Sequence, residues 1–347
     1  MLYTCPTRPE GKKNKWWVFL AGPIQGAPEW QFSVDTNLDG IDFLSPRRIT
    51  TEGFDYDEQV QWETDMLTAA DIVLFWIPNE EEHIEGRNYA QTTRTEFGEY
   101  LARGKKIFIG IEDKKFPGYR YFQTKLDQYD MGTIYSSFED VMKAVQDYIN
   151  ERDAATANPE EGIFFTSDTH FTSDRTWELS KRPFINPAAM DRAMIERWNA
   201  KVPPFATVYH IGDMGNPEIV KYLNGDIIFI NGNYETEPGR ITDEEQAGID
   251  SYVNQRYSSF TLKVKNAKGD IMKYYMAHKP LDVKARWEED PEHTMGVFGH
   301  IHGRQMIKEF GVDCGVDCHN YTPMSLKDVQ FFENALRKGY YDEEVWS

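Results

Sequence analysis

Cysteine is scarce in this chain: Cys5, Cys314 and Cys318 are the three among 347 residues. So few thiols build no disulfide framework. Cys314-x-x-x-Cys318-His319 lacks the second ligand pair of a structural zinc site, so the three read as ordinary thiols of a reducing cytoplasm. Long apolar runs are missing too. None approaches the roughly 20 residues that a membrane span needs, and the opening residues carry no signal-peptide pattern. The expectation is a cytoplasmic protein with no membrane partner. Positive charge is short: 38 Lys and Arg stand against 57 Asp and Glu, a formal net charge of −19. That balance argues against a protein that binds the nucleic-acid backbone, which needs a basic face. Small phosphorylated substrates stay open, because bound metal ions supply local positive charge.

Hydrophobic residues make up 40% of the chain, nine of them Trp, and 347 residues suit two α/β domains better than one core. Residues 1–14, rich in Lys, Pro and Gly, read as a loose arm. From there to residue 150 apolar strand patterns alternate with helical ones. Strands are expected at Lys15–Leu20, Ile41–Leu44, Asp71–Pro78, Lys106–Ile111 and Thr133–Tyr135. Helices are expected at Pro28–Leu38, Tyr56–Ala70, Thr93–Arg103 and Ser137–Asn150. This alternation calls for a doubly wound, flavodoxin-like parallel sheet, whose ligands bind at the carboxyl ends of the strands. Residues 151–162 are polar and read as a linker, leaving 163–347 as a second domain.

The second domain carries the strongest chemical signal. Phe164-Phe165-Thr166-Ser167-Asp168-Thr169-His170 runs apolar into a carboxylate and an imidazole two residues apart. Strand alternation would put both on one face, able to close on one ion. Further stations follow at the ends of apolar runs: His210-Ile211-Gly212-Asp213, Asn231-Gly232-Asn233, Met276-Ala277-His278 and Gly299-His300-Ile301-His302. Mixed nitrogen and oxygen ligands suit Mn, Fe, Zn or Ni better than Ca or Mg. One carboxylate shared between two ions is the makeup of a two-metal site, which holds a phosphoryl group and generates hydroxide.

The order Asp-x-His, Gly-Asp, Gly-Asn-x-Glu, His, Gly-His-x-His resembles the calcineurin-like metallophosphoesterase superfamily over roughly residues 162 to 330. The resemblance implies an α/β sandwich and two divalent ions. Asp168, His170, Asp213 and His302 would hold the first, and Asp213, Asn233, His278 and His300 the second. Lys181-Arg182-Pro183-Phe184, Gly315-Val316-Asp317 and Pro323-Met324-Ser325-Leu326 resemble small bacterial and phage members, implying a bacterial or phage origin. One position departs. The family pattern has His where this chain has Tyr234, and that His helps the leaving oxygen depart. The Tyr234 hydroxyl can donate a hydrogen bond, but a phenol gives up its proton less readily than imidazolium. A slower rate, or a substrate with a good leaving group, is expected.

In the first domain, Phe19-Leu20-Ala21-Gly22-Pro23-Ile24, Gln61-Trp62-Glu63 and Arg94-Thr95-Glu96-Phe97-Gly98-Glu99-Tyr100 resemble the nucleoside 2-deoxyribosyltransferase-like family over residues 15 to 150. The resemblance implies Glu96 as the nucleophile that takes the deoxyribosyl group, placed at a helix N-terminus that would stabilise its anion. Asp65 would hold or protonate the base, and the turn at Gly22 and Pro23 would line the sugar. Arg94, Arg47 and Arg48 can receive a phosphate, favouring a nucleotide over a free nucleoside. The resemblance also allows a homo-oligomer. The leading expectation is a bifunctional enzyme that acts on nucleotides or nucleosides, with phosphoester hydrolysis in one half and N-glycosidic cleavage or transfer in the other. Two alternatives stand: a catalytically silent nucleotide-binding first domain, or a first domain that hydrolyses NAD-like ribosides.

Overall fold

The computed structural model describes residues 1–156, 158, 160–266 and 269–339. The chain forms two compact units, Met1–Ala154 and Ala155–Ser347.

The first unit is built on six strands: β1 (Leu2–Thr4), β2 (Trp16–Ala21), β3 (Ile41–Ser45), β4 (Ile72–Ile77), β5 (Lys106–Ile111) and β6 (Ile134–Tyr135). They pair in the order β1-β3-β2-β4-β5-β6, every pair parallel. Without β1 this is the flavodoxin-like order, with its switch point between β2 and β4. A central strand buried on both sides needs apolar residues throughout, and all six residues of β2 and of β4 are buried. Alternation sends Trp16, Val18 and Leu20 toward Val141, Val145 and Ile149 of the helix Phe138–Thr156. Their neighbours face the other way, where Phe19 meets Trp62 of the helix Tyr56–Ala69 and Phe75 meets Phe97 of the helix Gln91–Ala102. Helices thus cover both faces, as a parallel sheet requires.

Several local expectations need correction. Residues 1–14 are not a loose arm. β1 pairs with β3, Thr7 O accepts from Trp62 Nε1, and buried Lys12 donates to Asp71 Oδ1 at 2.8 Å and to Ala69 O. Pro28–Leu38 is not a helix beyond the 3-10 turn Trp30–Ser33. There the Asp35 side chain takes the Asn37 amide, a local bond that competes with a helical ladder. A further helix, Tyr119–Tyr129, stands where none was expected, and the helix of residues 138–156 runs through the first part of the expected linker.

The second unit is a sandwich. One sheet has the order β10-β9-β8-β7-β16, from β7 (Ile163–Thr166), β8 (Thr207–His210), β9 (Asp226–Ile230), β10 (Gln255–Tyr257) and β16 (Met324–Ser325). The other has the order β11-β12-β13-β15-β14, from β11 (Phe260–Lys265), β12 (Ile271–Met276), β13 (Thr294–Phe298), β14 (Ile307–Lys308) and β15 (Gly311–Asp313). Phe165, Tyr209, Tyr274, Met276, Val297 and Val312 fill the core between them. Outside the first sheet, Met190, Met194 and Trp198 of the helix Pro187–Lys201 pack on Phe164, Val208 and Phe229. Outside the second, Val283 of the helix Pro280–Trp287 packs on Phe298. The parallel strands β7, β8, β9, β12 and β13 carry the candidate metal-ligating residues on the loops that follow them. Among the described residues, no helix is long and apolar enough to cross a membrane.

Candidate functional site

Asp168 and His170 meet for a reason other than strand alternation. β7 ends at Thr166, and both residues lie beyond it with left-handed backbones, φ 57° and 46°. Asp213, His300 and His302 also have positive φ. Left-handed backbone is costly for residues with a Cβ and persists where surrounding structure enforces it, commonly at functional sites. Here two glycines let the loops close up. A Cβ on Gly299 would fall 2.3 Å from Asp168 Oδ2, and one on Gly232 would fall 2.2 Å from Asp213 Oδ1.

Two groups of metal-binding donors result. Asp168, His170 and His302 form one, and Asp213, His278 and His300 the other. Asp213 lies between them, its Oδ2 3.6 Å from His170 Nε2 and 3.4 Å from His278 Nε2. Asn233 Oδ1 joins the second group, 3.1 Å from His278 Nε2 and 2.8 Å from His300 Nδ1. In the first group, Asp168 Oδ1 and His170 Nε2 are buried, 4.0 Å apart, and each lacks a hydrogen-bond partner. Buried polar atoms are rarely left so. A carboxylate oxygen and an imidazole nitrogen stranded together fit a cation, and the residues present suit divalent metal.

Supporting residues fix which nitrogen two of the imidazoles offer. His278 Nδ1 lies 2.7 Å from Ile211 O, which leaves Nε2 for an ion. His302 Nδ1 lies 3.0 Å from Asp317 Oδ2, and Asp317 is held by buried Arg182 at 2.9 Å. Arg182 also donates to the Asp168 and Thr169 carbonyls, tying that carboxylate–imidazole support to the first loop. Such partners orient metal-ligating imidazoles. Glu235 accepts from the Gly232, Asp213 and Met214 amides and so clamps two of the loops together.

Charge in the site is strongly perturbed. Burial drives His170 down to about 3 and pushes the Asp168 carboxyl up. Burial also opposes charge on His278, but contact with Asp213 and the Asp168 charge outweigh it and lift it to about 9. Asp213 is held below the usual carboxylate range because His278 and His170 outweigh its burial. Tyr234 stands edge-on to His170 with ring centroids 4.8 Å apart.

In the first unit, Gly22 follows β2 at the sheet's switch point. A Cβ there would lie 2.2 Å from Trp76 O, so the turn passes directly against the end of β4. Pro23 O accepts from Trp30 Nε1 at 3.3 Å. Glu96 is not at a helix N-terminus. Its helix starts at Gln91 after a left-handed Ala90, which puts Glu96 in the second turn. Burial, then the charges of Glu63 and Glu99, push its carboxyl up to about 8. The acid of the preceding helix that acts on it is therefore Glu63, whose own carboxyl is raised by burial. Asp65 instead pairs with Arg8 at 2.9 Å. Arg47 does not face outward for a phosphate. Its guanidinium donates to Gln31 Oε1 and to the Ile24 and Pro28 carbonyls, bracing the Gly22 turn. Arg48 pairs with Glu58 at 2.7 Å. Arg94 donates to Pro117 O and lies over Phe116, on the wall of a cavity of about 680 Å³ beyond β4 and β5. Glu96 is not among that cavity's lining residues, whereas Arg87 and Lys115 are.

Glu63 and Arg175 carried no role in the sequence reading, and Arg182 and Asp317 entered it only through a likeness. Chain position hides such pairings: Arg182 and Asp317 are 135 residues apart.

Two stretches of the chain match known families. Residues 15–114 match the family described as nucleoside 2-deoxyribosyltransferase like, and residues 162–315 match the calcineurin-like phosphoesterase superfamily domain. A curated relative, an uncharacterized protein of Methanocaldococcus jannaschii, is 24% identical over 184 residues, spanning 47% of this chain and 86% of its own length. A crystal structure of a protein of unknown function from Aquifex aeolicus aligns at 19% identity with a TM-score of 0.38, covering 49% of this chain and 97% of that one.

Proposed function

We propose that this chain, which carries an N-terminal nucleoside 2-deoxyribosyltransferase-like domain and a C-terminal calcineurin-like phosphoesterase domain, is a bifunctional enzyme of nucleotide metabolism. Calcineurin-like phosphoesterases use divalent metals, and the phosphoesterase domain marks a hydrolase. The observation that carries the C-terminal half is Asp213 Oδ2, set between His170 and His278 so that one carboxylate can serve two ions. Bound there, manganese, iron, zinc or nickel would hold a phosphoryl group and lower the pKa of water. The chain's own groups do the rest. Asp317 aims His302, Ile211 O aims His278, Glu235 holds the loops together, and the Tyr234 hydroxyl, on a ring packed against His170, would donate to an oxygen of the substrate. Three free thiols suit a reducing cytoplasm.

In the N-terminal half, Glu96 would attack the anomeric carbon of a nucleoside or nucleotide. The N-glycosidic bond breaks, its electron pair goes to the base, and Glu63 supplies the base with a proton. Water or a second base then releases the sugar from Glu96. Assays with Mn²⁺ and a nucleotide panel test both halves. Asp213→Asn should abolish phosphate release alone, and Glu96→Ala base release alone.

One observation favours a second reading, a silent nucleotide-binding first domain. The 680 Å³ cavity presents Arg87, Arg94 and Lys115 without reaching Glu96. On that reading Glu96→Ala leaves all turnover intact, while calorimetry still detects nucleotide binding.

A further inference from the structure

Arg175 and Tyr234, 59 residues apart, form a hydrogen bond that holding metal does not require. Arg175 Nη1 donates to the Tyr234 hydroxyl oxygen at 2.6 Å. A phenol both accepts and donates. Arg175 engages a lone pair, and among the described residues nothing accepts the hydroxyl's proton, which is thus free to meet a ligand. The Tyr234 ring packs edge-on against His170, within the first donor group, and the Arg240 guanidinium lies 5.4 Å from the ring centroid. Arg240 is paired with Glu237 at 3.2 Å, whereas Arg175 pairs with no carboxylate among the described residues. An arginine without a counter-charge is notable in a chain of net charge −19. At the mouth of a phosphoryl site it is suited to an anionic part of the substrate.

We propose that the Arg175–Tyr234 pair makes this centre selective for a phosphoanhydride, a P–O–P bond in a nucleotide, over the phosphomonoester of an alcohol. The inference rests on the phosphoesterase reading above. In hydrolysis a water oxygen bonds to the attacked phosphorus, and the bridging P–O bond breaks. Its electron pair stays on the departing phosphate. One proton of the water remains on the new phosphate or passes to solvent, and the other passes to solvent. An alkoxide is a strong base and needs a proton as it leaves, which imidazolium gives readily and a phenol does not. A departing phosphate is weakly basic and needs counter-charge and hydrogen bonds instead. A guanidinium backed by a hydroxyl supplies those and lacks the ready proton.

The test uses the full chain loaded with Mn²⁺, with ADP and diadenosine diphosphate as anhydrides, AMP as an alcohol ester, and p-nitrophenyl phosphate as an ester with a good leaving group. Products are resolved by chromatography. The wild-type kcat/KM on the better anhydride should exceed that on AMP by about a hundredfold or more. Arg175→Ala should lower the anhydride value by about a hundredfold, in the range seen when one charge-stabilising donor is removed. It should change the p-nitrophenyl phosphate value by less than about threefold, and Arg175→Lys should restore part of the loss. Arg175 is exposed, and metal content measured on each variant verifies an intact site. AMP split as fast as the anhydrides, or equal losses on all substrates in Arg175→Ala, would overturn the inference. Asp213-dependent turnover of p-nitrophenyl phosphate with none of the anhydrides would also overturn it while the phosphoesterase reading stands. No turnover of any substrate by the metal-loaded chain overturns both.

Discussion

Asp213 and His278 touch through the atoms that a metal ion would separate: Oδ2 lies 3.4 Å from Nε2. Both are buried, and each holds the other in its charged form, with Asp213 pushed down and His278 pushed up to about 9. The pair stores in one ion-pair contact what the loops after β8 and β12 bring together.

His302 depends on Asp317 in the same way that His278 depends on a backbone carbonyl. Asp317→Ala removes the acceptor that fixes the His302 ring and leaves buried Arg182 without its carboxylate partner. Metal affinity should fall about 10- to 100-fold, as for other carboxylate supports of metal-bound imidazoles. Titration with Mn²⁺ reads this directly, and an unchanged affinity would remove Asp317 from the account.

Gly299 has no room for a side chain. A methyl group there would sit 2.1 Å from Ser167 Oγ and 2.3 Å from Asp168 Oδ2, so Asp168 must move. Gly299→Ala should therefore keep the sandwich folded by circular dichroism while losing ion from the first donor group. Full metal occupancy in that variant would show the loops to be more pliant than the contacts allow.

Glu96 gives the first unit a pH signature. Its carboxyl is raised from 4.5 to about 8, so the folded protein keeps a proton that the unfolded chain releases from about pH 4.5 upward. Stability should thus fall as pH rises between those values, because the folded state binds more protons there. Glu96→Gln should flatten that slope. A slope left unchanged in Glu96→Gln would mean that Glu96 does not hold that proton.

Lys12 and Asp71 are a buried ion pair, each side chain 1% exposed, joining residues 1–14 to the start of β4. Lys12→Ala strands the Asp71 charge and should destabilise the first unit by roughly 3 kcal/mol. Urea unfolding measures it. A loss near zero would mean that β1, the Thr7–Trp62 bond and the Arg8–Asp65 pair hold the opening residues without Lys12.

The metal-binding candidates were legible because each stands where an apolar run stops, and a run's end is visible in sequence. The reason for their convergence was not. Strand parity suggested that Asp168 and His170 project together, but both lie past β7 on left-handed backbone, which no residue pattern announces for Asp and His. Glu96 was read as a first-turn residue because the helix was expected to begin at Thr93, whereas it opens after Ala90 with no side-chain cap. The helix Tyr119–Tyr129 was missed because its apolar face is narrow, with Phe122 and Leu126 its buried residues. Lys12 looked like a solvated arm residue, since a sequence does not show that Asp71 waits for it. Arg175 beside Tyr234 is the same case: a pairing made by the fold alone.

Asp213 is placed to let one site hold two ions. Metal content after dialysis of the Mn²⁺-loaded protein, by elemental mass spectrometry, measures this most directly. Two ions per chain are expected in the wild type and at most one in Asp213→Asn, with phosphoester hydrolysis reduced by about a hundredfold or more. A wild-type chain that retains no ion, or an Asp213→Asn variant that keeps both ions and full activity, would contradict it.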